Sequence, residues 1–206
     1  MSQAAKTPGK PKWAQAPRPA QTVQKLEGSL PALESLPQSE IAKPRPGEPV
    51  HFNMTVIAEP TSAQGKRGIL IGPRVGWGNY EIYCDEGTAI GGADEAPSPL
   101  GYMTAGIAFC LLTHITMYIH MKKLDIDRLK IELRGHFMTT MGSLESGGQG
   151  RGACEGLTAH VIIDSSEPAE RIRALLDTCK AACMAMQTAI QAVPASTKLI
   201  LNGAEI

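Results

Sequence analysis

Aromatic side chains are scarce in this chain of 206 residues: Phe, Trp and Tyr together make up 4%. A surface that stacks nucleobases needs such rings, so single-strand nucleic-acid binding has little support. Neither sign of charge is in excess, with 20 Lys and Arg against 20 Asp and Glu. No bulk attraction to nucleic acid or to a membrane surface follows from such a balance. The phosphate-cradling P-loop, the GxSxG elbow and the CxxC pair are missing as well. Gly148, Gly150 and Gly152 lack the final glycine and the strand-to-helix setting of a dinucleotide fingerprint. Nucleotide-driven and serine-hydrolase chemistry is therefore set aside. No apolar segment opens the chain as a secretory leader would, so a cytoplasmic protein is expected. Its five cysteines are an odd number for a disulfide framework. Reduced thiols are the simpler reading, with any disulfide transient and catalytic.

The chain is long enough to bury a core without staples. Residues 1–48 stand apart, carrying Pro8, Pro11, Pro17, Pro19, Pro31, Pro37, Pro44 and Pro46 and little apolar surface. They read as a flexible arm with a short helix near Val23 to Leu36, ahead of a domain over residues 49–206. Val50, Phe52, Met54 and Val56 alternate with polar neighbours, the period of a half-buried strand. Extended stretches are predicted from Gly68 to Val75 and from Asn79 to Cys84, followed by a loop. Ser98-Pro99 then opens a helix, with Ser as N-cap and Pro at the first helical position. This helix runs to about Met121, and no Asp, Glu, Lys or Arg occurs between Leu100 and Met121. Such a run is long enough for a membrane span. Its glycines, threonines, histidines and tyrosines favour a helix buried on all sides in a core or a dimer. Leu129 to Phe137 and Leu157 to Ile163 alternate as two strands around a Gly-rich loop. A second helix is predicted from Pro168 to Val193, with one apolar stripe through Leu175, Cys179, Cys183, Met186 and Ile190. Lys198 to Leu201 reads as a last short strand. This order gives an α+β domain.

Cysteine supplies the chemistry worth weighing. Cys110 lies in the middle of the apolar helix, and Cys179 and Cys183 lie one turn apart on the inward stripe of the second. Two buried helices that pack together bring such thiols within reach of each other, yet each also reads as a small core hydrophobe. His114 shares a helix face with Cys110 and is a candidate base for its thiol. Cys110, His114, Cys183 and Cys179 also have the chemistry of a metal set, but i,i+4 pairs are common and no metal is assigned. Cys84 and Cys154 receive no role.

Ala96-Pro97-Ser98-Pro99-Leu100, followed by Ala105-Gly106-Ile107-Ala108-Phe109-Cys110, resembles the entry to the first central helix of the OsmC family, the osmotically inducible and organic hydroperoxide resistance proteins. Lys130-Ile131-Glu132-Leu133 resembles that family's next strand. Ser166-Glu167-Pro168 through Cys183, then Thr188 and Val193-Pro194, resembles its second helix and exit. The likeness covers residues 50–203. It implies antiparallel sheets packed around two long buried helices in an intertwined homodimer. It further implies a thiol peroxidase of the oxidative-stress response, with Cys110 as peroxidatic and Cys183 as resolving thiol and Cys179 as the alternative resolver. No cofactor is implied. The substrate is an organic hydroperoxide, in a pocket walled by Met103, Ile107, Leu111, Met186 and Ile190. The reductant is a dithiol, for instance of lipoyl type. An arginine supports the thiolate in the family. Arg67 fits that position, with Arg74 as fallback. Where the family has Glu after the helix-opening proline, this chain has Leu100, which leaves Glu95, Asp94 or Glu86 to hold the arginine. The same departure keeps open a non-catalytic member that binds a hydrophobic ligand or thiol compound in the same cleft.

Overall fold

The computed structural model describes residues 21–34, 36, 48–73, 77–140 and 150–206. They fall into two compact units, one ending at Gly101 and one beginning at Tyr102.

The first unit is built on four antiparallel strands: β1 (Val23–Lys25), β2 (Thr55–Pro60), β3 (Lys66–Ile71) and β4 (Tyr80–Cys84), in the order β1-β4-β3-β2. β1 corrects the helix expected near Val23 to Leu36. Val23, Gln24 and Lys25 pair with Ile82, Glu81 and Tyr80, because the exposed edge of β4 offers ladder bonds that an isolated short helix lacks. The first expected strand also lies later than its alternation suggests. Ser62 Oγ accepts from Gly65 N–H at 2.7 Å, and Thr61 N–H donates to Gly65 O at 2.8 Å. That tight turn fixes Pro60 opposite Lys66, and the ladder then runs back only as far as Thr55 opposite Ile71. Residues 85–95 fold around the Asp85 carboxylate. It is 3% exposed and accepts N–H bonds from Glu86 at 2.9 Å, Ala93 at 3.0 Å and Glu95 at 3.4 Å.

Helix α1 (Pro99–Lys122) opens as its sequence predicts, with Gly101 N–H donating to Ser98 Oγ at 3.2 Å. It leads into the second unit, a long hairpin of β5 (Ile126–Thr139) and β6 (Gly152–Ser165) followed by helices α2 (Ala169–Ala182) and α3 (Met184–Ile190). A two-residue hairpin, β7 (Ile200–Leu201) and β8 (Ala204–Glu205), turns on Asn202-Gly203, both at positive φ as a type I′ turn requires. The core joins Ile107, Leu111 and Ile115 of α1 to Leu124, Leu175, Cys179, Cys183 and Met186. Leu129, Ile131, Leu133, Leu157, Ala159, Val161 and Ile163 pack against it from the inner face of the hairpin.

Within one chain the two helices behave differently from each other, and the second departs from its expected course. α1 buries only the stripe Ile107, Leu111, Ile115 within one chain, while Phe109 is 68% exposed and Met117 and Met121 are also outside. Among the described residues it is the one helix long and apolar enough to cross a membrane. The predicted second helix is broken at Cys183, whose φ of −73° and ψ of 99° are extended. A straight helix carries its stripe steadily around its axis. The break lets Leu175, Cys179, Cys183 and Met186 all face the core.

Candidate functional site

Cys110 sits beside the buried stripe of α1 and is half-buried. Cys183 sits at the junction of α2 and α3 with no exposure at all. The two thiols lie close together in the core, and the Cys183 pKa is pushed up, first by burial and further by its interaction with Cys110. The amides of Met186 and Ala185 pull the other way. Chemically, this is a pair of sulfurs brought near each other by different helices in apolar surroundings. Cys179, one turn earlier, is 1% exposed, and burial raises its pKa. His114 is half-buried one turn beyond Cys110, and its side chain makes no hydrogen bond or ion pair with the described residues. Among those residues, no group of three His, Cys, Asp or Glu side chains is arranged to hold a metal.

A cavity of about 600 Å³ opens in the same unit, between β6 and the helices. Leu111, Met186 and Ile190 line it, as does Leu176. Met103 and Ile107, the other two residues expected in a pocket, do not: Met103 is exposed and Ile107 is buried in the core.

In the first unit Arg67 is on β3, and its partner is a residue that the sequence did not single out. Arg67 Nε donates to Glu81 Oε1 in a short bond, and Arg67 Nη1 lies 3.7 Å from Glu59. Glu81, 8% exposed, also accepts from Tyr83 Oη at 2.9 Å and, through a short bond, from Gln24 Nε2. The bond to Arg67 is the main cause that holds the Glu81 carboxyl below its usual range. The same bond raises the Arg67 guanidinium, while burial raises Tyr83. Glu95, Asp94 and Glu86 are not the partners: Glu86 pairs with Lys66 at 3.3 Å, and the backbone of Glu95 is drawn to Asp85. Glu81 and Tyr83 share a strand face, a period-2 signal visible in the sequence. Which strand lay beside them was not visible. Arg74 lies outside the described residues.

The sequence pattern of the family described as OsmC-like protein matches residues 92–198, more than half of the chain. The chain belongs to the OsmC-like family. The match spans both Cys110 and Cys183. Solved structures similar to this OsmC-like chain include an OsmC-like hydroperoxide resistance protein from a Jannaschia species. It is 22% identical, with 69% of this chain and 87% of that one covered and a TM-score of 0.48. An OsmC-like protein from Mycoplasma pneumoniae is 18% identical over 67% and 86% of the two chains, with a TM-score of 0.48. An organic hydroperoxide resistance protein from Legionella pneumophila is 15% identical over 65% and 87%, with a TM-score of 0.45. No curated protein matches the sequence.

Proposed function

We propose that this OsmC-like protein is a cytoplasmic, homodimeric thiol peroxidase that reduces organic hydroperoxides through Cys110 and Cys183. One observation carries the reading: Cys110 of α1 packs against the core cluster that holds Cys183, and the two side chains interact. The chemistry requires a thiolate on Cys110 as the nucleophile. Cys110 attacks the distal peroxide oxygen. The O–O bond breaks, the alkoxide leaves and takes a proton, and Cys110 becomes a sulfenic acid. Cys183 then attacks that sulfur, releasing water and forming the Cys110–Cys183 disulfide before further oxidation. A dithiol, of lipoyl type for instance, returns the electrons by exchange. Arg67, held by Glu81, is the cation assigned to the site. Leu111, Met186 and Ile190 give the substrate an apolar wall. The exposed face of α1 around Phe109 and Met117 is assigned to the second copy.

The test is thiol titration before and after one equivalent of cumene hydroperoxide. The Cys110 and Cys183 thiols should disappear together, and peptide mass spectrometry should find them joined. Cys110→Ser should abolish peroxide consumption. Cys183→Ser should allow a single turnover that ends in sulfenic or sulfinic Cys110. No thiol loss in the native chain would leave the non-catalytic ligand-binding reading.

A further inference from the structure

The hairpin carries a register irregularity between His136 and Phe137. On one side of it Gly135 pairs with Leu157 and His136 with Gly156, while on the other Phe137 pairs with Cys154. Strict pairing would put Glu155 opposite Phe137. The bulge skips Glu155, which lies 3.7 Å from His136 Nδ1, and brings in the residue before it. Directly paired residues share a face. Cys154 therefore joins the inner face with Phe137 and Leu157, instead of the outer face of Thr158 and His160.

That inner face borders the cavity of about 600 Å³, a volume within the usual range for small-molecule sites. Leu111, Leu176, Met186 and Ile190 give it an apolar wall, and Cys154 and Lys180 stand on it as well. Lys180 has no ion-pair partner among the described residues, and Cys154 is exposed. The cavity thus offers an apolar bed, a reachable thiol and one uncommitted cation.

We propose that this cavity binds and captures long-chain α,β-unsaturated carbonyl compounds, with Cys154 as the covalent acceptor. The alkyl chain lies on the apolar wall. The Cys154 sulfur forms a bond to the β-carbon, and the π electrons of the C=C move through to the carbonyl oxygen, where Lys180 meets the developing enolate charge. The α-carbon then takes up the proton that the thiol has lost. No oxidant or reductant is consumed. The reaction uses neither the Cys110 nor the Cys183 thiol, but it shares the apolar wall of Leu111, Met186 and Ile190 with the proposed peroxide substrate.

The test exposes the full chain to trans-2-nonenal or to crotonaldehyde, which share one electrophile and differ in chain length. Borohydride fixes the adducts and peptide mass spectrometry locates them. Cys154 should react with nonenal at least roughly tenfold faster, since each methylene removed from water contributes about a fourfold factor. Ala189→Trp, which narrows the cavity wall, should erase that preference and leave the crotonaldehyde rate unchanged. Lys180→Leu should slow both reagents. Cys154→Ser should lose the adduct and keep peroxide consumption. Equal reactivity toward the two aldehydes, as expected if a second copy fills the cavity, would overturn the proposal. So would adducts on the other cysteines that exceed those on Cys154.

Discussion

Replacing Glu81 with Gln removes the negative charge on which Arg67, Gln24 and Tyr83 converge. Gln keeps one acceptor oxygen but sets an NH2 group against donors. A hydrogen bond to a charged group contributes about 1.5–3 kcal/mol. Arg67 is partly exposed, with a side-chain exposure of 36%, so solvent screens its share. The bonds from Tyr83 and Gln24 to the buried carboxylate are less screened. A net loss of about 2 kcal/mol is expected for Glu81→Gln at neutral pH. The assay is urea denaturation followed by circular dichroism, native chain and variant side by side. The pH dependence has a defined sign. The folded pKa of Glu81 is lowered from the ordinary 4.5, so its contribution is complete above that value. It is lost as pH falls through the lowered folded pKa. The gap between native chain and Glu81→Gln should therefore be full at neutral pH and shrink in acid. A variant within experimental error of the native chain, or a gap that does not change with pH, would refute this account of the cluster.

Ile115 has no exposure, and Ile115→Ala should cost about 2–5 kcal/mol by thermal or urea unfolding. Phe109→Asp, at a position 68% exposed, should leave the fold of one chain intact but lower the mass seen by light scattering if α1 faces a second copy. Iodoacetamide at neutral pH should label exposed Cys154 well before buried Cys179 and Cys183, whose pKa values burial raises, as peptide mapping over time would show. Asp85→Ala strips three backbone N–H groups of their acceptor and should speed limited proteolysis within residues 86–95, with a loss of about 1–3 kcal/mol.

Local signals in the sequence carried furthest where they sufficed. Ser98-Pro99 marked the start of α1, and alternation marked β5 and β6. Signals failed where a distant partner decided the outcome. Nothing in Ala182-Cys183-Met184 breaks a helix; these residues are not Gly or Pro, and packing of the core imposes the turn. Glu81 shows only as a charge in an extended stretch, because its interaction with Arg67 depends on β3 lying beside β4. Gln24, in a stretch that composition marks as an arm, completes that cluster only through the β1–β4 ladder. Cys154 read as a loop residue, since a one-residue bulge that reverses face is not visible in a single strand's pattern. Spacing alone offered Cys110, Cys179 and Cys183 on equal terms, and the likeness to the OsmC family drew attention to the two whose side chains interact.

The short strand Val23–Lys25 has a practical consequence for anyone trimming this protein. Composition invites a cut at residue 48, which would discard Gln24 from the Glu81 cluster and leave the outer edge of β4 unpaired. Bare strand edges recruit other strands. A chain beginning at residue 49 should be less soluble than one beginning at residue 21.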